Sequence, residues 1–196
     1  MLRPLRELPL CLASSAPWRS DALQRLGVPH RCKSPDFEEP LYVSGPLEDH
    51  VMALALGKAM SLETPGEAVL GFDQLIELDG QVFGKPGNFE AALVQLKQLR
   101  GKRHRLVNGM ALVYQGQKIQ RWDESFLKMR DLQDVELEHY LRQDEPFGCA
   151  GSYMIEALGA SLFESVEVSD LQSILGIPGN LVIDGLRQLG FSNLLP

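Results

Sequence analysis

Positive charge is scarce in this chain. Its 196 residues carry 19 lysines and arginines against 26 aspartates and glutamates, a net charge of -7 at pH 7. A surface of that sign has no general attraction for nucleic acid or anionic membrane. Cysteine is scarce as well. Cys11, Cys32 and Cys149 are far apart and odd in number, without metal-ligand spacing or a nearby signature for nucleophilic catalysis. They read as reduced thiols of a cytosolic protein, with Cys149 as a small core residue. Long apolar runs are missing, so no segment is expected to span a membrane. At the N-terminus, Leu8-Pro9-Leu10-Cys11-Leu12-Ala13 is too short for a signal core, and Glu7 interrupts the segment. A buried first strand explains it better. Repeats, low-complexity stretches and long linkers are absent too, and the length fits a single domain over residues 1–196.

What is present reads as interleaved strands and helices. Leu8 to Ala13 predicts a buried strand, and Pro17 suits the first turn of a helix that Gly27 ends. Val28 to Cys32 reads as a short strand, and Ser34 to Gly45 as a loop rich in proline and acid. Val51, Leu54, Ala55 and Lys58 share helical spacing within Leu47 to Leu62. Ala68 to Phe72 is a continuous apolar run, as in a strand covered on both faces. Asp79-Gly80 predicts a tight hairpin between Leu75–Leu78 and Gln81–Phe83, and Asn88 can cap a helix over Phe89 to Leu99. Arg103 to Tyr114 and Lys118 to Lys128 read as paired strands. Helices are expected over Asp134 to Arg142, near Asp170 to Leu175, and over Pro178 to Leu189. The fold class is therefore α/β, a mixed central sheet flanked by helices.

Two stretches carry chemistry. Leu12-Ala13-Ser14-Ser15-Ala16-Pro17-Trp18-Arg19 sets hydroxyls and an arginine where a strand turns into a helix, a place to hold phosphate. Gly71-Phe72-Asp73-Gln74 sets a carboxylate at the end of a buried strand, and Gly84-Lys85-Pro86 sets a lysine just past the hairpin. Together they suggest a nucleotide, a divalent metal and cleavage at phosphorus. Arginine grips phosphate through two parallel hydrogen bonds, whereas lysine acts as a point charge. Each residue also has a plainer reading. An aspartate at a strand end is commonly a turn or cap residue. Lys58 could face solvent, and Asp36, Glu38 and Glu39 could form a solvated acidic run.

The ordered motifs resemble the Maf family of nucleoside triphosphate pyrophosphatases, nearest the branch acting on 7-methylguanosine triphosphate. Further matches are Gly57-Lys58-Ala59, Gly101-Lys102-Arg103-His104, Asn108-Gly109, Cys149-Ala150-Gly151-Ser152-Tyr153, Leu162-Phe163-Glu164 and Gly176-Ile177-Pro178. The resemblance runs from about Leu10 to the C-terminus and implies an elongated fold, shared with inosine triphosphatases, with a nucleotide cleft between two lobes. It implies Asp73 as the catalytic carboxylate, and Glu38, Glu39 and Asp73 as ligands of Mg²⁺ or Mn²⁺. Ser14, Ser15, Arg19, Lys58 and Lys85 would bind the triphosphate. Gln74, on the opposite strand face, is a further substrate contact. Glu156 would lie beside the base and suit the positive charge of a 7-methylguanine ring. His104 matches a family histidine and reads as structural. The resemblance also suggests a homodimer, and the localisation read from the cysteines is cytoplasmic.

Several motif positions differ from the family pattern. Ala16 stands for a serine, Ser20 for an arginine, Phe72 for a small residue, Asn108 for a threonine, Met154 for a lysine and Ala157 for a glycine. Retention of Arg19, Lys58, Asp73 and Lys85 favours an active pyrophosphatase. The losses at Ala16, Ser20 and Met154 favour the alternative, a catalytically impaired protein that binds a nucleotide or partner and regulates division or growth.

Overall fold

The computed structural model describes residues 1–196. Its strands are β1 (Arg3–Pro4), β2 (Leu10–Ala13), β3 (Arg31–Lys33), β4 (Ala68–Leu78), β5 (Gln81–Phe83), β6 (Arg103–Tyr114), β7 (Gln117–Met129), β8 (Phe163–Val168) and β9 (Phe191–Ser192). Its α-helices are α1 (Pro17–Arg25), α2 (Leu47–Met60), α3 (Phe89–Leu99), α4 (Asp134–Asp144) and α5 (Gly179–Gln188). Seven strands form a mixed sheet in the order β3-β2-β4-β6-β7-β8, with β5 paired to β4. β2 runs parallel to β3 and β4, whereas β4–β5 and β7–β8 are antiparallel. The chain is thus α/β with a mixed central sheet and flanking helices, as the alternation of its segments predicts.

Turn chemistry places both tight hairpins. Asp79 and Gly80 take φ of 53° and 83° between β4 and β5, and Gln115 and Gly116 take 49° and 78° between β6 and β7. Two consecutive left-handed residues give the turn whose twist matches antiparallel strands. At α3, the Asn88 side chain accepts the Ala91 N–H at 2.9 Å, the expected cap.

The chain divides into two compact units. The first comprises Met1–Asp73, Asn108–Asp123 and Asp170–Pro196. Its sheet is covered on both faces, and the strands show this by alternation. Leu10 and Leu12, Ala68, Leu70 and Phe72, and Met110 and Leu112 join one core with residues of α1 and α5. Cys11 and Ala13, Val69, and Ala111 and Val113 join another, against Ala55 and Ala59 of α2. The α2 side is lined by small residues because the helix lies very close. A Cβ at Gly71 would fall 2.1 Å from the Ala55 carbonyl oxygen, and one at Gly109 would fall 2.2 Å from that of Val51. Glycine inside a strand marks just such an approach.

The second unit comprises Gln74–Val107 and Glu124–Ser169. Ile76, Leu106, Leu127 and Met129 pack with Leu96 and Leu99 of α3 and Leu137 and Leu141 of α4. Its polar strand positions pair in salt bridges, Arg103 with Glu167 at 3.0 Å and Arg105 with Glu124 at 2.5 Å.

Four expectations need correction. β4 does not stop at Phe72 but continues to Leu78, so Asp73 lies mid-strand rather than at a strand end. The short strand expected over Val28 to Cys32 is Arg31–Lys33, because Val28 turns back to donate its N–H to the Leu23 carbonyl. The helix expected near Asp170 to Leu175 is a single 3-10 turn, Ser173–Leu175, ended by Gly176 at a φ of 75°. Cys149 is half-buried, not a core residue, and Cys11 is the buried thiol.

Candidate functional site

Two structural periods meet at Lys58 and Asp73. Lys58 continues the α2 stripe of Val51, Leu54 and Ala55 that faces the sheet. Asp73 follows Val69 and Gly71 at two-residue spacing, which turns it to the face of β4 that α2 covers. The two groups therefore meet inside the first unit. The Lys58 ammonium donates to Asp73 Oδ1 at 2.5 Å, and both side chains are 8% exposed. The same ammonium lies 2.8 Å from Glu39 Oε1. Glu39 comes from the loop between β3 and α2, and both it and its neighbour Glu38 are exposed.

Burial shapes this cluster. An isolated charge removed from water is costly, and an opposite charge with a good hydrogen bond offsets that cost. Desolvation pushes the Asp73 carboxyl above its ordinary pKa, while Lys58 and Arg19 pull it down and Glu39 adds to the rise. A carboxylate with heightened proton affinity in contact with a fixed cation is suited to take a proton from water.

Arg19 is brought to the neighbouring backbone. Its guanidinium donates to the Phe72 carbonyl at 3.2 Å, one residue before Asp73. Gly176 leaves room for it, since a Cβ there would lie 3.1 Å from Arg19 Nη2. Ser14 is buried, and its hydroxyl accepts the Ala16 N–H at 3.1 Å, which shapes the turn from β2 into α1. Ser15 beside it is exposed. Ala16 occupies the N-cap of α1 without any side-chain cap, and Pro17 begins the helix. Ser20, where the family pattern has a second arginine, shares a hydrogen bond with His30 Nε2 at 2.9 Å. The His30 Nδ1 meets the Val28 carbonyl at 2.8 Å.

The remaining candidates lie in the second unit. Gln74 is half-buried on β4, and Lys85 and Glu156 are exposed. The backbone beside Lys85 is held firmly. The Gly84 carbonyl accepts from Gln95 Nε2 at 3.2 Å and from the Gly151 N–H at 3.3 Å. Gln95 Oε1 also accepts the Ser152 hydroxyl at 2.7 Å. His104 is buried, with Nε2 3.1 Å from the Tyr153 hydroxyl and its ring beside Phe163, a structural setting.

Sequence reasoning missed the Phe72 carbonyl that receives Arg19, and the polar cluster at Asn108. The buried Asn108 amide donates to Asp123 and to the Ser173 carbonyl, both at 2.9 Å. The signal for close approach was available in Gly57, Gly71 and Gly109, glycines inside apolar segments. The partner of a loop residue or a carbonyl has no such signal.

A divalent cation is the group that the resemblance implies. No group of three or more histidine, cysteine, aspartate or glutamate residues is gathered to cage one. Two carboxylates, Asp73 and Glu39, do converge on one ammonium. That donor set fits Mg²⁺, which takes one or two carboxylates and completes its shell with phosphate oxygens and water.

The chain is similar to known proteins over most of its length. The Maf family, of Maf-like proteins, matches residues 9–189. The 7-methyl-GTP pyrophosphatase of Pseudomonas savastanoi pv. phaseolicola is 40% identical over 187 residues, 93% of this chain and 97% of that one. That of Chromohalobacter salexigens is 34% identical over 192 residues, 94% and 98% of the two chains. That of Vibrio parahaemolyticus is 35% identical over 193 residues, 97% of this chain and 100% of its relative.

Proposed function

The chain belongs to the Maf-like family, and from that premise we propose that it hydrolyses a nucleoside triphosphate to the monophosphate and pyrophosphate. We infer 7-methylguanosine triphosphate as the preferred substrate, after the names of its relatives. The observation that carries the reading is the buried Lys58–Asp73 pair with Glu39 against the same ammonium. Acid and base held together away from water suit attack at phosphorus, where catalysis is positioning and charge neutralisation.

Asp73 and Glu39 would hold Mg²⁺ or Mn²⁺, which when bound neutralises phosphate charge and supplies an acidified water. Asp73 accepts a proton from the attacking water at a carboxylate oxygen. Lys58 and Arg19 hold the charge that grows on the phosphate oxygens, and Ser14 sets the turn at the start of α1. Lys85 is the further phosphate cation, Gln74 and Ser15 are substrate contacts, Glu38 is a second acidic group on the metal side, and Glu156 reads the base. A homodimer in the cytoplasm is the working assembly.

The deciding experiment is pyrophosphate release with Mg²⁺ or Mn²⁺ over a panel of nucleoside triphosphates that includes the 7-methylguanosine form. The methylated nucleotide should be preferred, and Asp73→Asn should reduce turnover by about a hundredfold or more while nucleotide still binds. Equal turnover in that variant would remove Asp73 from the chemistry. One observation favours the second reading, a binding protein with impaired catalysis: Ser20 engages His30 where the family pattern has a cation. Absence of release from every nucleotide, with binding retained, would establish it.

A further inference from the structure

The segment between β3 and α2 has no regular secondary structure, yet it delivers Glu39 to the Lys58–Asp73 pair. Most loops of that length wander unless something ties them down. Besides the Glu39–Lys58 pair, two contacts with α2 hold this one. Tyr42 meets His50 edge to face, with ring centroids 5.4 Å apart, and its hydroxyl donates to the Gly45 carbonyl at 2.6 Å. The other contact is Phe37, whose ring end rests on Gly57. A Cβ built on Gly57 would fall 2.2 Å from Phe37 Cζ, 2.3 Å from Cε2 and 2.9 Å from Cε1. No other residue type leaves room for that ring.

The chain geometry links this contact to the site. Phe37 lies two residues before Glu39, and Gly57 is the residue before Lys58. The ring and the carboxylate therefore reach two adjacent residues of one helix. On either side of Tyr42, Leu41 and Val43 are each 88% exposed, so they add no hold of their own.

We propose that Phe37 is the positioning residue for Glu39: its ring, seated on the bare α-carbon of Gly57, sets the loop so that the Glu39 carboxylate lies against Lys58. This deepens the pyrophosphatase reading and rests on it for its effect on turnover. The packing itself does not depend on that reading. Phe37 acts through Glu39 as a positioning residue. A shift of about an ångström in a group that positions reactants is enough to cost a large factor in rate.

The test uses a clash and its relief. Gly57→Ala puts a methyl group where the Phe37 ring sits, while favouring the helix itself. Phe37→Leu removes the three ring atoms that would clash. In the Gly57→Ala variant, chymotrypsin cleavage after Tyr42 should speed by about tenfold. The Mg²⁺ concentration for half-maximal pyrophosphate release should rise by about tenfold. Global thermal stability should not fall. Glu39→Gln should raise the Mg²⁺ requirement while cleavage after Tyr42 stays at the wild-type rate. In Phe37→Leu/Gly57→Ala, both cleavage and Mg²⁺ dependence should return toward wild type. Unchanged cleavage after Tyr42 in Gly57→Ala, or no recovery in the double variant, would overturn the proposal. If the wild type releases no pyrophosphate, the functional reading falls, and the cleavage measurements alone still decide the role of Phe37 as the anchor of Glu39.

Discussion

A lysine inside a protein is costly, and Lys58 keeps its place because two carboxylates meet it. Half of that arrangement is legible in the sequence. Helical spacing places Lys58 on the apolar stripe of α2, and strand alternation places Asp73 on the α2 face of β4. The other half, Glu39, is not legible from period, because a loop has none. His104 shows the same limit in the second unit. Its apolar strand suggests burial, but nothing local names Tyr153 and Phe163 as its neighbours. Burial lowers the His104 pKa from 6.5 to about 4, and its Nδ1 has no hydrogen-bond partner. The sign follows from proton binding. Between those two pH values the unfolded chain binds a proton that the folded chain refuses. The contribution is therefore intact above pH 6.5 and is lost as pH falls toward 4. The loss amounts to about 3 kcal/mol by pH 4. Urea unfolding of wild type and His104→Gln from pH 7 down to pH 4 checks this. Wild type should lose stability more steeply than the variant, and parallel curves would exclude His104 as the source.

Elements are the scale at which the sequence is most readable, and the reasons are local. The I′-type hairpins follow from Asp79-Gly80 and Gln115-Gly116, the α3 cap from Asn88, and the two-faced sheet from runs such as Ala68 to Phe72. β8 escaped notice because Glu164, Ser165, Val166 and Glu167 are all exposed, so no buried face writes an alternating pattern. Connections between elements are also hidden, and Gln95 of α3 is the clearest case. One amide holds the Gly84 carbonyl beside Lys85 and the hydroxyl of Ser152, a fully buried residue at a φ of 64°. A non-glycine residue in that conformation persists only where its surroundings fix it. Gln95→Ala leaves the Ser152 hydroxyl without its acceptor and should cost about 1–3 kcal/mol of stability. Replacing Ser152 by Ala in the same background should recover part of the loss, because no buried hydroxyl is then orphaned. Urea denaturation of the two variants measures both quantities, and strict additivity would show that the two side chains are not coupled.

At the scale of the whole molecule, what the sequence hides is pairing between distant segments. β1 and β9 are two residues each, too short for any periodic signal, yet Arg3 pairs with Phe191 and Pro4 with Ser192. The Arg3 N–H donates to the Gly190 carbonyl at 2.8 Å, and its guanidinium lies 4.7 Å from the centre of the Phe191 ring. Phe191 is 2% exposed and joins the core that Leu12, Leu70 and Leu112 build, so the end of the chain is part of the first unit's interior. Asn193 extends the tie by donating to the Leu26 carbonyl at 2.8 Å. Beyond it the chain leaves the core, and Leu194 is 82% exposed. The contribution of the tail should therefore end sharply. Phe191→Ala should cost about 3–5 kcal/mol, the usual loss for a buried phenylalanine. Removal of Leu194 to Pro196 should cost only about 0.5 kcal/mol, as for surface positions. Denaturant unfolding of the two variants against wild type tests the contrast. Equal losses would mean that the last three residues carry packing that their exposure denies, and a small loss for Phe191→Ala would mean that the core closes without its terminal strand.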